Sequence, residues 1–307
     1  MKKYSNLIIV ILSFITLILI ILNKTLISKT IITSFSIWFN TLVPSMFPMF
    51  ILSDILINYN FTEYIPKKLI NIISKLFNIS NNAVLIVLLS MISGFPTNAI
   101  NIKNAFDKGM ISKSEAEHLL LFNHFANPLF VLETIGIFYL NNNKYGIIIL
   151  ISHILSNIII GILFRHKNKY SINNYISKNN KSQNFGNVIS TSIKKSIDSL
   201  FMVSGTITLF LILSTLIINI FNLNTYLSLF VQGILEMTMS IANLSILNIS
   251  NTIKVVIATS IISFGGLSIH LQVFSVLDEK INYRNYFIGR IYQALISGIL
   301  SLLIMII

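Results

Sequence analysis

Apolar stretches recur along the whole chain, at roughly 7–22, 31–57, 83–100, 119–140, 145–164, 198–221, 226–247, 255–277 and 285–307. A hydrocarbon core about 30 Å thick takes about 20 such residues per helical crossing. No water reaches backbone N–H and C=O groups there, so the chain must satisfy them in helices. Only 10% of residues are charged and 54% are hydrophobic, whereas a soluble domain is about a quarter charged. With a mean hydropathy of +0.79, the chain reads as an all-α polytopic membrane protein.

The start, "MKKYSNLIIVILSFITLILIIL", has the charge and apolar core of a signal peptide. No small-residue cleavage site follows, so residues 7–22 read as a retained helix. There is no cysteine, which excludes disulfides, thiolate metal sites and a cysteine nucleophile. The net charge of +12 fits loops facing cytoplasm and anionic lipid. No basic stripe interleaved with aromatics argues for nucleic acid.

The loop charges predict a topology. Stretch 165–197 carries Arg165, Lys167, Lys169, Lys178, Lys181, Lys194 and Lys195 and is placed in the cytoplasm. Working outward from it puts 101–118 on the same side, and Lys67, Lys68 and Lys75 against Glu63 place the loop 58–82 there too. Segment 83–100 then has both ends in the cytoplasm, which a re-entrant hairpin broken at "SGFP" allows and a straight span does not. In the second half, the turn 278–290 leans inside and leaves 226–247 with both ends outside. Lys254 falls on the unfavoured side. The expectation is an inverted repeat of spans plus two re-entrant helical hairpins, a plan shared by many secondary transporters. Its parts are an N-terminal helix (1–30), a first repeat (31–164), a basic cytoplasmic linker (165–197) and a second repeat (198–307). Nine ordinary spans are the alternative.

Non-helical backbone at membrane depth must be buried in protein or line a cavity. Candidate breaks are Gly94 with Pro96, Asn127 with Pro128, and Gly265 with Gly266. Around them lie Ser93, Thr97, Asn98, Asn123, Ser268 and Gln272, uncharged groups that could join helix N-termini in cradling an anion. Each is also an ordinary packing residue of membrane helices. Among intramembrane carboxylates, Glu236 stands mid-segment beside Thr238, and Glu133 follows "NPLFVL". Either is a candidate for coupling or gating. Asp54 lies near a span end and reads as a solvated cap. His124 and His270 flank two breaks and could relay protons or simply pack. Ser112 or Ser114 caps a helix with Glu115 and Glu117 in its first turn. No phosphate-binding loop, nucleophile or metal motif is present. An enzyme is not expected, and neither is a cofactor.

"SGFPTNAINIKNAFDKGMISKSEAEHLLLFNHFANPLFVLETIG", "LEMT" and "FGGLSIHLQVFSVLDEKINYRNYFIGRI" resemble, in order, the YlbJ (SpoVV) sporulation membrane proteins. That group is related to the nucleoside-recognition Gate domain proteins. The resemblance covers most of residues 38–295. It implies a core similar to concentrative nucleoside transporters, and carriage of dipicolinate across the outer forespore membrane in a spore-forming host. It also implies a small residue where Asn98 stands and a hydroxyl where Ala126 stands, so Asn98 is a position for altered substrate choice. The reading is a secondary transporter of a small organic anion. Its partners are an anionic or polar solute and the lipid bilayer, with a homo-oligomer or sporulation membrane partners left open. The alternatives are a nucleoside-like or other polar solute, and a non-transporting scaffold of a sporulation or envelope complex.

Overall fold

The computed structural model describes residues 2–59, 61–165, 184–278 and 280–307. All regular structure among them is helical. α1 (Lys2–Leu22) leads to α2 (Lys24–Ile37), which continues through a π-helical turn, Trp38–Leu42, into α3 (Val43–Asn58). Next come α4 (Lys67–Phe77), α5 (Asn81–Ser93), α6 (Thr97–Asp107), α7 (Lys113–Phe122), a π-helical segment Phe130–Tyr139, and α8 (Asn143–Leu163). The second half holds α9 (Phe185–Ile220), α10 (Thr225–Leu235), α11 (Met237–Ser245), α12 (Asn251–Phe264), α13 (Gly266–Leu277) and α14 (Arg284–Ile306). Five runs are long and apolar enough to cross a membrane: Lys24–Asn58, Asn143–Leu163, Phe185–Ile220, Asn251–Leu277 and Arg284–Ile306. The chain is thus a multi-pass helical membrane protein.

Helix starts follow local chemistry. Ser80, Ser112, Asn224 and Ser250 each accept an N–H from the first turn of the following helix, satisfying donors that helix geometry leaves free. Ser112 is the cap of α7, and its neighbour Glu115 reaches across to accept the Ser80 N–H at 2.7 Å.

α2 and α3 lie along α9. Ser34 and Thr208 hydroxyls meet at 2.7 Å, Trp38 Nε1 donates to the Leu200 carbonyl at 2.9 Å, and Asp54 binds Ser192 and Lys195 at 2.7 and 2.9 Å. Rising numbers on one partner meet falling numbers on the other, so the pair is antiparallel.

Two polar stretches differ from their expected forms. α9 begins at Phe185, so residues 185–197 are helix rather than linker. Val188, Ser192, Ser196 and Leu200 recur at helical spacing and are buried. Lys167, Lys169, Lys178 and Lys181 lie outside the described residues. Within 58–82, read as a loop, α4 is an amphipathic helix meeting α5 at 96°. Its Ile70, Ile73 and Phe77 pack on the core while Leu69, Ile72 and Leu76 are exposed. With Lys67, Lys68 and Lys75 it has the make-up of a helix lying in the membrane interface.

α10 and α11 form a helical hairpin. In one continuous helix, residues eleven apart stand about 16 Å apart. Here Ser240 donates to the Leu229 carbonyl at 3.0 Å and Asn243 to Gln232 at 2.7 Å. α5 and α6 also pack on each other, joined by Gly94 at φ 75° and a cis Phe95–Pro96 bond. α12 and α13 instead form one run, Asn251–Leu277, interrupted at Gly265 and Gly266, both at positive φ. Residues 123–127, after α7, are likewise non-helical.

Candidate functional site

Glu236 separates the arms of the second hairpin. Its backbone is extended, at φ −145° and ψ 115°, and it is the N-cap of α11. The carboxylate accepts the Thr238 N–H at 3.0 Å and the Met239 N–H at 2.9 Å. This is the cap role usually taken by shorter polar residues, and it leaves the carboxylate 1% exposed. The α13 start closes against this tip at Gly266. A Cβ there would stand 3.2 Å from Met237 N and 3.3 Å from the Leu235 carbonyl.

Where tip and break meet lies a small cavity of about 10 Å³, about the size of a single water. Glu236, Met237 and Thr238 line it from the tip, and Ser268, Ile269 and Gln272 from α13. Leu42, Met46, Val203 and Ile207 close one side, and Phe95 of the first hairpin another. Thr238 Oγ1, Ser268 Oγ and Gln272 Oε1 are buried without a hydrogen-bond partner. A buried polar atom left unpaired costs about 1–3 kcal/mol. Three of them line one cavity beside a carboxylate, a set able to receive a polar guest. Gln272 is oriented from behind by its Nε2 bond to Thr206 at 2.6 Å.

The first-half residues are used differently. The Asn98 amide donates to the Phe125 carbonyl at 3.0 Å, Asn123 to Ser90 at 2.8 Å, and Asn127 accepts the Phe130 N–H at 3.2 Å. Ser93 donates to the Leu89 carbonyl at 3.1 Å. Gly94 packs so tightly on this stretch that a Cβ would stand 2.5 Å from Asn127 N. These groups stitch the first hairpin to the 123–127 break. Phe95, at the tip itself, is what reaches the cavity. Thr97 and Pro128 are half-buried beside these stitches.

A second polar cluster joins His124 and His270, the histidines that flank the breaks, to His153, Asn157, Tyr286, Arg290 and Gln293, which were not read from the sequence. His153 accepts the Ala126 N–H at 3.0 Å and meets Ser263 at 2.9 Å. Gln293, Asn157, His124 and Tyr286 join it, and fully buried Arg290 donates to the Leu121 carbonyl at 2.9 Å. His270 binds the Tyr283 hydroxyl and the Phe264 carbonyl. The signal was present: Tyr286, Arg290, Gln293, Ser297 and Ser301 repeat at helical spacing, a polar stripe inside an apolar helix.

The chain is 24% identical over 309 aligned residues to the sporulation integral membrane protein YlbJ of Bacillus subtilis (strain 168). The alignment covers 89% of this chain and 76% of the relative. The likeness supports membership of the YlbJ family. No family model matches the sequence, and no solved structure matches it.

In this YlbJ-like chain the other two candidate carboxylates, Glu133 and Asp54, stand apart from the cavity. Glu133 is exposed on the π-helical segment. Asp54 bonds to Asn58, Ser192 and Lys195. The cavity chemistry therefore rests on Glu236, two hydroxyls, an amide oxygen and the uncapped N-terminus of α13, whose Gly265 provides no side-chain cap. Such a set can hold a proton on the carboxyl, donate two hydroxyl hydrogens and present a positive helix end.

Proposed function

We propose that the chain is a secondary transporter of a small organic anion, carrying dipicolinate during endospore formation. The observation that carries this is the cavity at the second hairpin tip, with Glu236 and the unpaired Thr238, Ser268 and Gln272 atoms. The tips of both hairpins and the interrupted α12–α13 run meet around it. α6 packs on α13, and α11 packs on the Phe130–Tyr139 segment. These exchanged contacts, with the antiparallel pairing of α3 and α9, support an inverted-repeat core with the substrate site between its halves.

The cavity is far smaller than any dicarboxylate. It is a closed state, and a hairpin tip must move for a solute to enter. A carboxylate in the wall repels a dianion unless it carries a proton. Protonation of Glu236 would therefore accompany anion loading, coupling uptake to a proton gradient. The positive end of α13 and the two hydroxyls then face the substrate.

The test is uptake of labelled pyridine-2,6-dicarboxylate, beside a nucleoside panel, into vesicles holding the purified chain, with and without an inward proton gradient. Dicarboxylate accumulation that collapses with the gradient is the expected result. Uptake of a nucleoside alone reassigns the substrate, and no uptake of either by folded protein overturns the transport reading in favour of a scaffold.

A further inference from the structure

α4 is divided lengthwise into three sectors. At helical spacing, Lys67, Asn71, Lys75 and Lys68 fall within about 100° of arc. Ile72, Leu76 and Leu69 follow in the next sector, and Ile73, Phe77 and Ile70 in the one after. The basic sector and the first apolar one are exposed, whereas the last packs on the core. The fold thus uses only half of the apolar face and leaves the half beside the lysines bare.

The protein fixes this orientation. Phe77 stacks on Phe122 at 4.9 Å and 26°, and it fills the space left by Gly161, where a Cβ would stand 2.7 Å from the ring. Gly161 lies near the end of α8 (Asn143–Leu163), a helix long and apolar enough to cross the membrane. α4 is therefore pinned at the end of a span, where acyl chains give way to headgroups, and it turns there 96° from α5. Tyr64, just before it, is 81% exposed, as aromatic residues are at that level.

Little in the chain answers the lysines. α4 has no acidic residue, and Lys67, Lys68 and Lys75 make no ion pair among the described residues. Glu63, the nearest acid before them in sequence, offsets one charge of three at most. Lys67 and Lys68 stand in the first turn, where the helix dipole disfavours cations. The counter-charge then comes from outside the chain. A layer of phosphates above acyl chains supplies it in the arrangement that the two exposed sectors present.

We propose that α4 binds anionic phospholipid. Leu69, Ile72 and Leu76 enter the outer part of the acyl chains, and Lys67, Lys68 and Lys75 hold the negatively charged headgroups above them. The helix thus selects the lipids beside the first hairpin, whether or not the chain transports.

Ile72→Cys, the single cysteine in an otherwise cysteine-free chain, carries a bimane reporter on the bare apolar sector. The full chain is placed in phosphatidylcholine nanodiscs containing the same minor share of either chain-nitroxide phosphatidylglycerol or chain-nitroxide phosphatidylcholine. The anionic lipid should quench the reporter more strongly at low salt, by about fivefold for each lysine engaged, and the two lipids should converge at high salt. Lys67→Gln, Lys68→Gln and Lys75→Gln together should erase the preference, and Arg at the same three positions should keep it. Equal quenching by the two lipids at low salt, a preference that persists at high salt, or one unaltered by the three Gln substitutions overturns the proposal. So does an absence of quenching by either lipid, the result expected if protein covers the bare sector or α4 lies off the bilayer.

Discussion

Glu236 shows how one side chain can hold a fold and form the wall of a cavity. Its two oxygens cap α11 while the same carboxylate lines the cavity. Glu236→Ala should lose the cap, about 0.5–2 kcal/mol, together with uptake. Glu236→Gln keeps an acceptor for one N–H but carries no exchangeable charge. It should therefore melt closer to wild type while proton-driven uptake fails. Thermal unfolding and vesicle uptake on the same preparations separate the two effects; equal loss of stability in both variants would contradict the dual role. Glu115 offers a second test. It caps Ser80 from outside the spans, and burial raises its carboxyl above the ordinary value while the Ser80 hydrogen bond pulls it down. A raised folded value stabilises the fold most at low pH. The benefit is lost as pH climbs from the ordinary carboxylate value through the raised one. Glu115→Gln, which can still accept from Ser80, should therefore gain on wild type over that rise. A stability difference that is flat with pH would count against the buried setting.

At the scale of elements, glycine decides where helices can break and touch. Gly94 combines φ 75° with a contact that a Cβ would bring to 2.5 Å from Asn127 N. Gly94→Ala should cost about 1–3 kcal/mol for the strained backbone alone, and more for the displaced tip. Gly205, mid-helix in α9, has nothing within 4 Å of a Cβ. Gly205→Ala should instead stabilise by about 0.5–1 kcal/mol. Unfolding midpoints of the two variants, moving in opposite directions, are the expected reading. The breaks were legible beforehand because Gly, Pro and Asn interrupt apolar runs at a scale that sequence spacing resolves. α4 was not, because lysines that mark a polar loop can equally border an apolar helix face. Arg290 was missed for the same reason. It was counted with the turn 278–290, while its spacing with Tyr286 and Gln293 marked the inside of a helix. Lys254 falls on the unfavoured side as a loop charge, yet its ammonium binds the Ser245 carbonyl at 2.6 Å, at the end of α11, a helix end that favours a cation. Which partner a charge meets is a tertiary fact, and local spacing does not contain it.

For the whole molecule, the arrangement turns on the direction in which each hairpin faces. α3 and α9, which open the two halves, run antiparallel. If the hairpins that follow them obey the same inversion, the far end of α6 faces one side of the membrane and the far end of α11 the other. Lys108 closes α6, Asn248 follows α11, and both are exposed. Because the chain has no cysteine, single substitutions report cleanly. Asn248→Cys should react with an impermeant maleimide in intact cells, and Lys108→Cys only after the membrane is opened. Labelling of both from one side would remove the inverted repeat, and with it the argument that the Glu236 cavity lies between halves of opposite orientation.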